Sequence, residues 1–165
     1  MDLLQQSPLT FNHVNAGLVA GTTSTYTTTA TTVCSIGGRF ATGLAAQTNT
    51  ASPTTDANTG LAFVPLTANQ ATVLLWGVNA AGAIRLVQGG IVPTEIGITT
   101  TAGGFLQAPS FPAIPDDFCP IGYQLVRTSP TGSAFTAGTT AWAASGITCS
   151  VIRNVSTLPG RPQTS

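Results

Sequence analysis

The chain has 165 residues, enough for one domain with its own core, but only 6% of them are charged, against roughly 25% in an ordinary soluble domain. Lysine is absent, and five Arg balance five acidic residues, so the net charge is zero. Nucleic acid is therefore not an expected partner, because phosphate binding needs clustered Lys and Arg. A membrane is not expected either, because no apolar run approaches the roughly 20 residues of a spanning helix.

The composition also predicts how the surface behaves. Exposed positions must be filled mainly by Thr, Ser, Asn, Gln and Ala, which cost far less free energy to desolvate than charged groups. Such a surface favours packing against other protein subunits; a secreted bacterial β-protein of low charge is the alternative interpretation. The first six residues carry no basic segment and no apolar stretch. We therefore expect no secretory signal, and a protein that stays in the cell that makes it or leaves inside an assembly.

Residues 1–20 are predicted to form an arm or a short helix outside the main domain. Leu3, Leu4, Leu9 and Phe11 are apolar, yet no strand-forming run lies next to them, and a proline and a glycine interrupt any long helix. These side chains are too apolar for a solvated tail. We therefore expect them to contact a neighbouring subunit.

Residues 21–156 are predicted to form a single all-β domain, followed by a tail at 157–165. Helix periodicity is nearly missing, whereas runs of Thr, Val, Ile and aromatic residues recur between turns rich in Gly and Pro. Gly37-Gly38 predicts a tight turn, and 47–60 predicts an exposed loop. The predicted strands are 24–29, 31–36, 61–66, 71–78, 83–88, 121–128 and 146–153, with a further edge strand at 95–100. Seven or eight short strands are typical of a β-sandwich or a jelly-roll-like barrel.

The strongest local signal is an antiparallel hairpin over 71–88. Its outgoing strand is apolar on both faces, which indicates a central strand between two layers. A four-residue connection ending in Gly82 fits the loops that join antiparallel strands. Leu74 and Trp76 are accordingly predicted to be buried in a central strand, in different environments, and Trp76 is not expected to bind sugars.

Residues that carry catalysis or bind metals are scarce. Without lysine there is no P-loop lysine and no Schiff base, and the single histidine, His13, is expected at a surface or an interface. Asp116 and Asp117 are adjacent and point in opposite directions on an extended chain, which does not suit a shared metal or an acid/base pair. We therefore predict no enzyme, no cofactor and no metal site. Buried free thiols are expected at the three cysteines, with one intrachain bridge left open among Cys34, Cys119 and Cys149.

Two segments give the chain a family resemblance. The first is the hairpin Leu74-Leu75-Trp76-Gly77-Val78-Asn79-Ala80-Ala81-Gly82-Ala83-Ile84, followed by Val87-Gln88-Gly89. The second runs from Pro112-Ala113-Ile114-Pro115 through Cys119-Pro120-Ile121-Gly122-Tyr123 to Phe135-Thr136-Ala137-Gly138-Thr139-Thr140 and Gly146-Ile147-Thr148. Over residues 15–158 this pattern of turns and strands resembles small structural proteins of tailed bacteriophages, described as head decoration, cement or virion-associated proteins.

The resemblance implies a location and partners, but no active-site residues. It implies a capsid decoration or cement protein on the virion head surface, made in the host cytoplasm, which forms a homotrimer and binds the major capsid protein. On this interpretation Leu3, Leu4, Leu9 and Phe11 would contact the capsid or another subunit. A head-fibre or tail receptor-binding module, with exposed aromatic residues for glycan contact, is the alternative. A carbohydrate-active or other secreted enzyme is a third hypothesis, and it would need a cluster of carboxylates.

Overall fold

The computed structural model describes residues 9–164, and within this range the chain is all-β, as predicted. No helix occurs among these residues. Three sheets form from twelve strands in the described part: β1 Phe11–Asn12, β2 Val19–Ala20, β3 Thr25–Thr28, β4 Cys34–Ile36, β5 Arg39–Phe40, β6 Gln47–Ala51, β7 Gln70–Val78, β8 Ile84–Gln88, β9 Val92–Pro93, β10 Cys119–Thr128, β11 Ile147–Cys149 and β12 Arg153–Asn154.

A six-stranded antiparallel sheet forms the centre of the fold, with β7 and β10 side by side. β8 and β9 pair with β7, and β11 and β12 pair with β10. The predicted hairpin is confirmed: β7 pairs with β8 in the register Trp76↔Leu86, and Gly82 has the positive φ (80°) that its turn needs. Both faces of β7 are buried because each face carries its own layer.

Two hydrophobic cores lie on opposite faces of this sheet. One core contains both Leu74 and Trp76, so the prediction that they lie in different environments is wrong: residues two apart on a strand share a face. The two three-stranded sheets add Tyr26 and Cys34 to this core. The other core contains Leu75 and is covered by irregular segments between β9 and β10 and after β12. This layered arrangement is sandwich-like. It explains why apolar residues on β7 follow one another without alternation.

The outer sheet is the three-stranded sheet in the order β1-β4-β5. The turn predicted at Gly37-Gly38 joins β4 to β5, and both glycines have positive φ (57° and 82°). The second small sheet has the order β2-β3-β6. Its strand β6 begins at Gln47, inside the segment that was predicted as a loop, because Gln47, Thr50 and Ala51 pair with β3.

The prediction of a separate arm at 1–20 does not hold for residues 9–20. Strand β1 pairs with β4 and strand β2 pairs with β3, and Ala16 and Leu18 are completely buried in the core. Strand β4, the partner of β1, lies beyond β2 and β3 in the chain, so local sequence does not reveal that pairing. Strands β2 and β3 instead form a local hairpin around residues 21–24, which was not predicted. Leu3 and Leu4 lie outside the described residues.

Four further predictions are revised by the structure. The region 61–66 forms only isolated β-bridges, at Ala62 and Leu66. The predicted strand 95–100 is part of a short hairpin-like segment that is closed by isolated β-bridges. The predicted strand 146–153 is split into β11 and β12. The predicted tail is packed on the domain: Leu158 contacts the second core, and the Gln163 N–H donates to the Tyr123 hydroxyl at 3.2 Å.

Candidate functional site

The outer face of the outer sheet presents apolar rings to solvent. The strand register places Phe11, Ser35 and Phe40 in one row across β1, β4 and β5. The His13 ring contacts both phenylalanines, and the His13 N–H donates to the Val33 carbonyl at 2.7 Å, so these two residues extend the row beyond the ends of β1 and β4. We call Leu9, Phe11, His13, Val33 and Phe40 the aromatic patch.

Ring contacts hold the aromatic patch together. The His13 ring lies between two phenylalanines, with centroid distances of 4.4 Å to Phe11 and 5.5 Å to Phe40. Phe40 is 78% exposed and Leu9 is 67% exposed, and the other members are also exposed. Arg39 precedes Phe40 and therefore points away from this face. No member of the patch is an Arg, Asp or Glu residue, so the patch is a mainly apolar surface.

The backbone under the patch is fixed by turns and hydrogen bonds. The Gly38 N–H donates to the Leu9 carbonyl at 3.1 Å, and the Ser35 hydroxyl donates to the same carbonyl at 3.2 Å. Leu9 has a positive φ of 62°, a conformation that costs a non-glycine residue about 1 kcal/mol or more. These hydrogen bonds offset the strain, so Leu9 is held where it extends the exposed row.

A second exposed apolar surface lies on the segment 94–106, which we call the isoleucine hairpin. Bridges Thr94↔Phe105 and Ile98↔Thr101 close it. Ile96 and Ile98 are 82% and 81% exposed, and Leu106 is also exposed. Both isoleucines therefore face solvent on a hairpin that is closed by these bridges.

Arg127 of β10 fixes the isoleucine hairpin to the central sheet. Its Nη1 donates to the Gly103 carbonyl at 2.8 Å, and its guanidinium lies 5.2 Å from the centroid of the Phe105 ring. A side chain at Gly97 would collide with the Thr101 carbonyl, so the two sides of the hairpin are closely packed. The two isoleucines are therefore presented on a supported segment.

Asp56 and Asp117 both accept hydrogen bonds from backbone N–H groups. Asp56 is buried, and it accepts N–H hydrogen bonds from Asn58 at 2.8 Å and Gln88 at 2.7 Å. Asp117 accepts one from the Ala80 N–H at 2.7 Å and so orders the loop between β7 and β8. Among residues 9–164, no group of three or more His, Cys, Asp or Glu side chains could hold a metal ion.

Sequence reasoning found part of the aromatic patch and missed the rest. Leu9 and Phe11 were predicted as contact residues and are exposed on one face, and His13 lies beside them at the surface, as expected. Phe40 was missed, although its place directly after a glycine turn was visible in the sequence. Ile96 and Ile98 were also missed; their spacing of two residues indicates one face of an extended segment.

No family model, curated protein or solved structure matches this chain. In the part of the chain that the structure describes, no helix is long and apolar enough to cross a membrane. The aromatic patch and the isoleucine hairpin are two exposed apolar surfaces of the described part of the chain.

Proposed function

We propose that this chain is a virion structural protein of the capsid decoration or cement type. It forms a homotrimer, binds the major capsid protein at the head surface after synthesis in the host cytoplasm, and carries no catalytic activity. The observation that supports this proposal is the aromatic patch, a row of exposed rings on a braced sheet of a nearly uncharged chain. Exposed apolar patches on soluble proteins mark interaction sites.

The aromatic patch offers a limited binding energy for each copy. The exposed fractions of Leu9, Phe11, Val33 and Phe40 add up to about two fully exposed side chains. Burying them is worth roughly 3–6 kcal/mol before the cost of association is subtracted. One copy would therefore bind weakly, whereas three linked copies would bind with much higher avidity. A trimer that binds the assembled shell better than free capsid subunits would stabilise the shell by mass action.

A cement protein needs one surface for itself and one for the shell. We assign the aromatic patch to the capsid and the isoleucine hairpin to the contact between copies. The hairpin supports this assignment because Arg127 braces it and because Ile96 and Ile98 are more exposed than any hydrophobic residue of the patch. Contacts of this kind contain few ion pairs, so salt should affect them little.

The capsid contact is tested by rebinding to particles that lack the protein. The double variant Phe11→Ser/Phe40→Ser removes the rings, and Leu61→Ser is the matched control because Leu61 is exposed but belongs to neither surface. After sedimentation with particles, we expect at least tenfold fewer bound copies of the double variant and normal binding of the control. Full occupancy by the double variant would show that the aromatic patch does not contact the capsid.

The contact between copies is tested by sedimentation at low and high salt. We expect a trimer under both conditions for the native chain and a shift to monomer for Ile96→Ser/Ile98→Ser. A stable native monomer at roughly micromolar concentration would count against the proposal, as would an assembly that moderate salt dissolves.

A receptor-binding module of a head fibre or tail is the second candidate. The exposed ring of Phe40 beside His13 favours it, because flat aromatic rings are suited to stacking on sugars. A glycan array separates the two functions. Binding to a defined glycan that Phe40→Ser abolishes, with no binding to capsids, would favour the receptor role.

A further inference from the structure

A cavity of about 330 Å³ lies between the loop 56–64 and the end of β8, the edge strand of the central sheet. We call it the Asp56 cavity. Its volume falls within the roughly 300–1,000 Å³ of small-ligand sites. The cavity shares no described residue with the aromatic patch or the isoleucine hairpin. It is therefore a third surface feature, to which the proposed function gives no role.

Hydrogen bonds fix the two sides of the Asp56 cavity relative to each other. The Gln88 side chain pairs with the backbone of Val64: its Oε1 accepts from the Val64 N–H at 2.9 Å, and its Nε2 donates to the Val64 carbonyl at 2.9 Å. Within the loop, the Asp56 N–H donates to the Leu61 carbonyl at 2.8 Å. The cavity is thus formed by braced segments, which lowers the ordering cost of binding a ligand.

Asp56 is buried, and it carries the one charged side chain among the described residues that line the cavity. Its Oδ1 accepts from the N–H groups of Asn58 at 2.8 Å and Thr59 at 3.2 Å, and its Oδ2 accepts from the Gln88 N–H at 2.7 Å. An ionised carboxylate has about four acceptor positions, so about one remains free. In the described part of the chain no Arg or His forms an ion pair with this carboxylate. The cavity therefore holds a negative charge without a cation beside it.

Apolar groups make up much of the remaining lining. Val64 and Ile91 line the cavity and are exposed, so they lie at its mouth, whereas Phe63 lines it and is buried. Gly90 adds room: a Cβ atom there would meet no atom within 4 Å, and its φ is not in the positive region. A matching ligand must therefore offer a cation to Asp56 and a hydrocarbon stem to the mouth of the cavity.

We propose that the Asp56 cavity binds an arginine side chain of a different protein. The guanidinium donates an N–H to the free acceptor position of Asp56, a charge-assisted hydrogen bond, and the methylene stem packs against Val64 and Ile91. Arginine is favoured over lysine because a guanidinium is more weakly hydrated than an ammonium and loses less on entering a partly apolar cavity. That the partner is a different protein rests on the assignment of the contact between copies to the isoleucine hairpin; the preference for arginine does not.

Nuclear magnetic resonance on the full native chain tests this preference directly, because the amide protons of Asn58 and Gln88 donate to the Asp56 carboxylate and report on its ligand. The probe is the peptide acetyl-Ala-Arg-Ala-amide. The matched controls carry lysine or citrulline, the uncharged isostere of arginine, in place of the arginine. We expect saturable shifts of both amides at roughly millimolar arginine peptide, weaker binding of the lysine peptide, and about tenfold weaker binding of the citrulline peptide. Equal binding of the arginine and citrulline peptides, or no shift of these amides, would overturn the proposal.

Two variants test whether the peptide occupies the cavity. Gly90→Leu fills the cavity without changing the carboxylate, and it should weaken binding of the arginine peptide about tenfold. Gly160→Leu is the matched control, because a Cβ atom at Gly160 also meets no neighbour and Gly160 does not line the cavity. Asp56→Asn should abolish the preference for arginine over citrulline, and its amide spectrum shows whether the loop is still folded. Unchanged binding by Gly90→Leu would place the peptide elsewhere and overturn the proposal, whether or not Asp56→Asn folds.

Sedimentation of the same variants separates a different protein from a second copy as the source of the arginine. We expect Gly90→Leu to have the same oligomeric state as the native chain and as Gly160→Leu. Dissociation of Gly90→Leu alone would assign the cavity to a second copy and overturn the proposal of a different partner. Retained preference for the arginine peptide in a chain that fails to bind particles would support the arginine site and refute the capsid role, so the two proposals fail separately.

Discussion

The two tryptophans make a matched pair for testing how the first core is stabilised. Trp76 and Trp142 are both buried, with ring centroids 6.0 Å apart. The Trp142 Nε1 donates to the Thr25 carbonyl at 2.8 Å, whereas the buried Trp76 Nε1 has no hydrogen-bond partner in the described structure. The same substitution to phenylalanine should therefore have different consequences at the two sites.

The expected changes in the free energy of unfolding follow from the hydrogen bonds of the two indole N–H groups. An unsatisfied buried polar group costs about 1–3 kcal/mol, so Trp76→Phe removes a penalty that partly offsets the lost packing. Trp142→Phe loses comparable packing and also loses the hydrogen bond from the indole to the Thr25 carbonyl, which keeps the Gly21 N–H as its other donor. We expect Trp142→Phe to destabilise the fold by about 2 kcal/mol more than Trp76→Phe. Trp76→Ala should cost about 3–5 kcal/mol, because it leaves a cavity at the centre of the core.

Urea unfolding followed by circular dichroism measures all three variants at one fixed protein concentration, because assembly would otherwise shift the apparent stability. Equal losses for the two phenylalanine variants, or a larger loss for Trp76→Phe, would refute the argument from the unpaired N–H. Unchanged stability of Trp76→Ala would show that Trp76 does not contribute to the core.

Three further predictions concern single positions. Arg127→Met should lower the free energy of unfolding by about 1–2 kcal/mol, because the charged hydrogen bond to the Gly103 carbonyl and the contact with the Phe105 ring are lost. Amide hydrogen exchange in the isoleucine hairpin should become faster; unchanged exchange would show that other contacts hold the hairpin. Gly138→Ala should lower the free energy of unfolding by more than about 2 kcal/mol, because φ at Gly138 is 72° and a Cβ atom would collide with the Pro53 carbonyl. At Gly160 a Cβ atom meets no neighbour, so Gly160→Ala should change stability by less than about 0.5 kcal/mol. Similar urea midpoints for the two variants would contradict this. Burial raises the pKa of Cys149 from 9.0 to about 12, so the unfolded chain loses this proton first as pH rises. The contribution of Cys149 to stability should therefore fall between about pH 9 and 12, and a Cys149→Ala variant should show a weaker fall in the same window.

The sequence predicted the elements that are defined by neighbouring residues. The β7–β8 hairpin, the Gly37-Gly38 turn and the buried position of Trp76 all follow from local pattern and turn chemistry. Strand β7 could be placed at the centre of a sheet because an unbroken apolar run can be buried only between two layers. The all-β class followed from the same kind of observation.

The sequence could not predict the elements that depend on distant partners. Phe11 and Asn12 form a strand only because β4 lies beside them, and Leu18 is buried by groups from remote segments. The aromatic patch was predicted only in part, because the register that adds Phe40 to Phe11 is a property of three strands together.

The most direct test of the central claim is the number and position of copies on purified particles, determined by cryo-electron microscopy together with quantitative protein analysis. The proposal predicts trimers at repeated sites on the outer shell, with Phe11 and Phe40 facing the major capsid protein. Absence of the protein from the particle would contradict the proposal. A location confined to the tail or to fibre tips, or a shell contact made by another face, would contradict it as well.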